Sequence, residues 1–278
     1  MQYPPATPLP PQFISHGSPM FALESGTTGP ALRQWADDLP TPRGIVLMSP
    51  HWMALQPAVM TNPAPATWHD FGGFPEPLYQ LQYPAPGDPA LAAQVLDLLR
   101  AAGIEAQGDA QRPLDHGAWV PLMHMFPHAS VPVVQVALPA RAGPAQVYAL
   151  GQALSSLAAQ GVLLIGSGSI THNLAEFFDG RPELNAPPAA YVSEFSRWVE
   201  SAVHRADLAA LIDYRRQAPH ATRAHPSEDH FLPIFFALGA ARWGGADPVK
   251  AEYISREVSY RILAMDAFAL STSQGAAA

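Results

Sequence analysis

Four short apolar runs, at residues 12–15, 44–49, 131–138 and 162–166, constrain the fold more than any other feature. Runs of this length, rich in Val, Ile and Leu and bounded by turn residues, read as buried strands. Longer periodic segments at 89–102, 144–159, 187–204 and roughly 227–240 read as helices. Proline at or near the start of the first three suits a first-turn position. Ser227, with Glu228 and Asp229 behind it, suits a helix N-terminus. Val258, Tyr260, Ile262 and Ala264 alternate and predict a last strand. Strands separated by helices imply an α/β fold with a mixed, mainly parallel central sheet flanked by helices. No internal repeat or linker divides the chain. A single domain is therefore expected over 11–270, with a Pro-rich tail at 1–10 and a short tail at 271–278.

Composition removes several classes of function. Hydrophobic residues are 48% and charged residues 14% of the 278, which argues against disorder. Fifteen basic against 23 acidic residues give 15 − 23 = −8. Nucleic-acid binding needs a basic footprint, so no nucleic-acid partner is expected. There is no cysteine, which excludes disulfides, thiolate nucleophiles and iron–sulfur clusters. Any metal must be held by His, Asp, Glu or backbone oxygen. The longest apolar run, 231–241, is about half the length of a spanning helix and contains Pro233, so no membrane partner is expected. The first residues lack the basic and apolar regions of a secretory signal, and a cytoplasmic protein is expected. Monomer and homo-oligomer both remain open.

Prolines number 31 and crowd residues 4–11, 57–89 and 182–188. The second stretch contains Trp68, Phe71, Phe74, Tyr79 and Tyr83. A long connection of this kind is usually functional or disordered, and its aromatics favour function; the plainer reading is that they cap the core.

Histidines follow three of the four strands. His16 comes just after the first, His51 just after the second, and His172 a few residues beyond the run at 162–166. Ligands of open α/β sheets bind outside the carboxyl ends of the strands, so these imidazoles can converge there. His230 lies near the start of the penultimate helix, with His225 five residues earlier. His116 and His69 each stand beside an aspartate, a common partner of a ligating or catalytic histidine. His124, His128, His204 and His220 have no distinctive context. Pattern alone leaves two readings open: a metal site, or ordinary surface and core histidines. The zincin motif HExxH is absent. GSGS at 166–169 is neither a nucleophile elbow nor a Walker loop and reads as a turn.

Six segments together resemble one family: SHGSPM, SPHW, the run HDFGGFPEPLYQLQYPAPGDPALA, DHGAWVPLMHMFP, GSGSITHNL and PSEDHFLPIFFALGAA. They occur in order over roughly 11–270 and are similar to the class III extradiol ring-cleavage dioxygenases, of the DOPA 4,5-dioxygenase type. The resemblance implies a mononuclear metal held at His16, His51 and His230, with His172 as catalytic acid/base and His116 as an active-site residue beside the substrate. His225 falls outside the matched set. It also implies non-haem Fe(II) for activity, with Zn2+ able to occupy the same site, and a small-molecule catechol and O2 as substrates. Arg181 and Arg223 lie near the motifs, where a substrate carboxylate is one partner and solvent the ordinary one. A non-catalytic binding relative of the same fold and a zinc hydrolase are the competing readings.

Overall fold

A computed structural model describes residues 8–245 and 249–272. In chain order the strands are β1 (Gln12–Ser15), β2 (Gly44–Ala54), β3 (Ala58–Met60), β4 (Gln107–Asp109), β5 (Val133–Pro139), β6 (Val162–Gly168), β7 (Val249–Ser255), β8 (Val258–Ser259), β9 (Leu263–Ala264) and β10 (Ala267–Thr272). Eight of them form one sheet in the order β4-β3-β5-β2-β6-β1-β10-β7. The pairs β1/β6, β2/β6, β2/β5 and β3/β4 are parallel, whereas β3/β5, β1/β10 and β10/β7 are antiparallel. The central strands are covered on both faces, and β1 and β6 are buried at every position. That is why they read as unbroken apolar runs. The fold is a single α/β domain with a mixed, mainly parallel sheet flanked by helices.

Helices pack on this sheet. Asp88 caps Pro89–Ala101, its side chain accepting from the N–H groups of Ala90 and Leu91. The helix Pro144–Leu154 passes into a 3-10 turn, Ser155–Gln160, which Gly161 ends with φ 74°. Pro233–Ala240 is buried along its whole length, against Pro144–Leu154 and β6, as an all-round apolar helix must be.

Several elements differ from expectation. The segment predicted as a helix over 227–240 is helical only at Pro233–Ala240. Proline brings no N–H and suits a first-turn position, so the helix begins there and leaves 227–232 in turns. The alternating stretch 258–264 is not one strand. It is the hairpin β8/β9, because Tyr260 and Arg261 take φ of 51° and 63°. The last strand of the sheet is β10. The helices Thr28–Asp38 and His116–Met125 carried no readable signal, the second because Pro121 lies inside it. Of the expected tails, residues 1–7 and 273–278 lie outside the described residues. Leu9 is buried, and β10 runs to Thr272.

Candidate metal centre and active site

The carboxyl ends of β1, β2 and β6 deliver the site. His16 directly follows β1, and its N–H donates to the Gly168 carbonyl at the end of β6. His51 lies within β2, where the pairing with β5 shifts register between Ser49 and Met53. An irregularity of this kind re-aims a side chain out of the regular pleat. His116 opens the helix His116–Met125, which Asp115 caps through the Ala118 N–H. His230 sits in the turn before Pro233, with its carbonyl held by the Ser169 N–H at 2.8 Å.

Two glycines make room. A Cβ on Gly117 would stand 2.2 Å from Ser49 Oγ and 3.0 Å from His51 Cδ2. One on Gly168 would meet the His230 carbonyl oxygen at 2.2 Å. The GSGS segment is thus mostly the end of β6, and its second glycine lets the His230 turn approach.

The imidazoles crowd together. His16 Nε2 and His51 Nε2 are 3.2 Å apart. The ring centroids of His230 lie 5.5 Å from His16 and 5.1 Å from His51. Those of His116 lie 5.5 Å and 3.9 Å from the same two rings. His172 stacks flat on His230, with centroids 3.5 Å apart and planes 5° from parallel. One nitrogen each from His16, His51 and His116 falls within 4.8 Å of the others, so these three form a site able to hold a metal ion.

The Nδ1 side of three of these rings is hydrogen-bonded, and that of His51 faces a carboxylate. Ser167 Oγ–H donates to the Gly117 carbonyl at 2.5 Å. Pro121, four residues further along that helix, has no N–H to give that carbonyl. With its hydrogen used, Ser167 Oγ accepts from His16 Nδ1–H at 2.9 Å, leaving a lone pair on Nε2. Asp70 faces two rings. Its Oδ1 accepts from His116 Nδ1–H at 2.9 Å, and its Oδ2 lies 3.3 Å from His51 Nδ1. Asp229 Oδ2 accepts from His230 Nδ1–H at 2.6 Å. No side-chain hydrogen bond holds His172 among the described residues.

Nitrogens about 2.1 Å from a shared ion lie roughly 3.0–3.4 Å apart at angles of about 90–109°. The His16–His51 separation meets that requirement, and unprotonated imidazole nitrogens are the donors such an ion needs. The donor set therefore fits a metal.

Residues 12–267 match the family described as the catalytic LigB subunit of aromatic ring-opening dioxygenase. The chain belongs to this family. It is 40% identical over 233 residues to a 4,5-DOPA dioxygenase extradiol of Beta vulgaris, covering 82% of this chain and 85% of that one. A protein of the same description from Escherichia coli K12 is 32% identical over 250 residues, covering 88% and 89%. A crystal structure of an uncharacterized Escherichia coli K12 protein superposes with a TM-score of 0.75 at 27% identity, covering 95% of this chain and all of that one. The chain is accordingly an extradiol dioxygenase, of the DOPA-dioxygenase type.

The electrostatics of this dioxygenase keep His16, His51, His172 and His230 uncharged at pH 7. Burial, then the neighbouring histidines, holds His16 well below its ordinary value. Burial lowers His51 to about 4 despite the opposing pull of Asp115 and Asp70. Burial likewise lowers His172 to about 4, against the pull of Asp229. His230 is also held well below, by burial and then His172. Burial pushes Asp70 up, but its hydrogen bonds and the charges of His116 and His51 outweigh that and bring it to about 2. The close Asp70–His51 approach is thus a carboxylate beside a neutral ring at pH 7.

Behind the rings, Arg112 donates to Asp115 at 2.6 Å and to the His51 carbonyl at 3.1 Å. It lies over the faces of Trp52 and Trp68, at 4.9 and 5.0 Å. It joins β2, the Pro-rich connection and the His116 helix. From that connection Phe71 meets the edge of His116 at 5.5 Å and packs with Phe74 and Tyr79.

Other residues singled out in the sequence lie apart. His225 is fully buried; its Nε2 meets the Ile170 carbonyl at 2.7 Å and its ring packs on Phe231. His69 Nε2 meets the Leu81 carbonyl. Arg223 is bound to Glu176 at 2.7 Å, and Arg181 ends the helix Leu174–Gly180. The sequence did not reveal Asp70, Ser167 or Asp229 as holders of the rings. The HD pair at 69–70 carries the signal for the first.

Proposed function

We propose that this enzyme opens a catechol ring beside its two hydroxyls, adding both atoms of O2 to give a muconic-semialdehyde-type product. DOPA and related aromatic diols are the substrates put forward, following the names of the relatives. The observation that carries the reading is the contrast among five clustered histidines. Three, His16, His116 and His230, have Nδ1 hydrogen-bonded from behind, His51 Nδ1 lies beside the Asp70 carboxylate, and His172 has no side-chain partner among the described residues.

We assign the metal to His16, His51 and His230, whose neutral rings are in the form that binds an ion. The close grouping of His16, His51 and His116 favours a second assignment, with His116 as third ligand. Fe(II) bound there would supply the electron that activates O2 and draw in the catechol oxygens; Zn2+, which can occupy the same donors, has no such redox step. His172, uncharged at pH 7 and unclamped, takes a proton from the catechol hydroxyl onto a ring nitrogen. The Asp229 carboxylate favours its charged form. His116 places substrate or oxygen, and Phe71, Phe74 and Tyr79 form a wall suited to a flat ring. A reducing cytoplasm is where we place the enzyme, since that compartment keeps iron as Fe(II). A zinc hydrolase or a non-catalytic binding relative is not favoured.

The test is isotopic. Under 18O2, a DOPA, caffeate-like or simple catechol substrate should yield a product carrying both labelled atoms. Unlabelled product from every catechol would remove the proposal.

A further inference from the structure

We propose that a cavity beside the His172 segment is the subsite for the polar end of an α-amino-acid catechol, with Arg261 taking the carboxylate and Asp179 the ammonium. The proposal rests on the reading of the enzyme as a catechol dioxygenase. Glu176, Asp179, Arg223, Arg261 and Ile262 line a cavity of about 670 Å³, the size of a small-molecule site. Its walls are bonded to the chain on both sides of His172. The Thr171 hydroxyl donates to the Ile262 carbonyl at 2.7 Å, and the Asn173 amide donates to the Arg223 carbonyl at 2.8 Å. The His172 N–H donates to the Ala224 carbonyl at 2.8 Å. A catechol that gives its proton to His172 can extend its substituent into this cavity.

Four charged groups share the cavity, and two of them cancel. Arg223 donates to both oxygens of Glu176, at 2.7 and 3.3 Å, and its guanidinium lies over the Tyr191 ring at 4.2 Å. Arg261 and Asp179 have no ion pair and no side-chain hydrogen bond among the described residues. One free guanidinium and one free carboxylate match a ligand that carries both a carboxylate and an ammonium. A simple acid would leave Asp179 facing a like charge. Tyr260 and Arg261 take left-handed φ of 51° and 63°, uncommon outside Gly and Asn. The turn is pinned at its backbone: the Tyr260 N–H donates to the Leu184 carbonyl at 2.8 Å, and the Arg261 carbonyl accepts from the Ala189 N–H at 3.0 Å. The Tyr260 hydroxyl donates to Glu24, and its ring meets Phe177 edge-on at 5.5 Å. These contacts fix the turn and leave the Arg261 guanidinium free, as a preorganised binding group requires.

The experiment is a calorimetric titration of Fe(II)-loaded protein under nitrogen, where ligands bind without turning over. The probes are DOPA, dopamine, which lacks the carboxylate, and dihydrocaffeate, which lacks the ammonium. R261M should weaken DOPA and dihydrocaffeate roughly 5–10-fold, the worth of an Arg–carboxylate contact partly open to water, and leave dopamine unchanged. D179N should weaken DOPA and dopamine about 3-fold, and not dihydrocaffeate. R261M that leaves DOPA unchanged, or that weakens all three probes alike, overturns the proposal. D179N that leaves DOPA and dopamine unchanged overturns the role of Asp179. If R261M does not fold, wild type decides, since dopamine bound as tightly as DOPA also overturns the proposal. Wild type that binds none of the three loses the catechol reading itself, whereas equal binding of all three keeps that reading and removes this subsite.

Discussion

The Nε2 atoms of His16 and His51 face each other at 3.2 Å, with a serine hydroxyl behind one ring and a carboxylate near the other. That separation suits either a proton shared between the two nitrogens or a metal ion bound by both. H16A and H51A should each lose bound metal and turnover together, read as metal-to-protein ratio and rate on one preparation. Full metal content in either variant contradicts that role.

The third ligand is decided by a pair of substitutions. H230A should lose the metal, while H116A should keep most of it and lose rate. The opposite pattern assigns the metal to His16, His51 and His116. H225A is the control on the same segment as His230. It opens a cavity and leaves the Ile170 carbonyl unpaired, so it should cost roughly 2–4 kcal/mol in denaturant unfolding. Its metal content should stay at the wild-type level.

His172 lies flat against His230 without a clamp on its own ring. H172A should retain metal and lose about 10²–10⁴-fold in kcat, the range of a general acid/base. Loss of the metal in H172A would show that it is a ligand instead.

Acid should destabilise the metal-free protein in a defined window. The folded values of His51 and His172 are about 4 and that of His225 about 3, against 6.5 for an ordinary histidine. Below about pH 6.5 the unfolded chain takes up protons that the folded chain refuses. Stability should be level above that point, fall as pH drops through about 4, and flatten below about 3, at up to about 1.4 kcal/mol per pH unit for each histidine. Asp70, held at about 2, adds a loss in the same direction below about pH 3.8. Thermal melts across this range check it. A melting temperature unchanged from about pH 7 to about pH 5 contradicts it.

What the sequence made legible follows from where each signal resides. Strands β1, β2, β5 and β6 are central, so their covered faces left apolar runs that could be read directly. The edge strands β4 and β7, and β3 next to the first, are short or half-exposed and left no such run. His16, His51 and His172 stood out because motif and strand end coincided, and His116 and His230 through their motifs. Asp70 and Ser167 did not, because each meets its ring only in the folded chain; Asp229 adjoins His230 in sequence, but adjacency alone does not show the contact. Ser167 and His16 are 151 residues apart, and Asp70 and His116 are 46 apart. Pro121 looked like a helix breaker, yet it sits in a helix beside a carbonyl that Ser167 uses.

The most direct measurement is O2 uptake by protein stripped of metal and reloaded anaerobically. With Fe(II), adding a catechol should start O2 consumption and give a yellow ring-opened product; with Zn(II), the same protein should do neither. H230A should abolish the iron-dependent uptake. No uptake from a broad catechol panel with iron in the site, or equal turnover with zinc, would contradict the account.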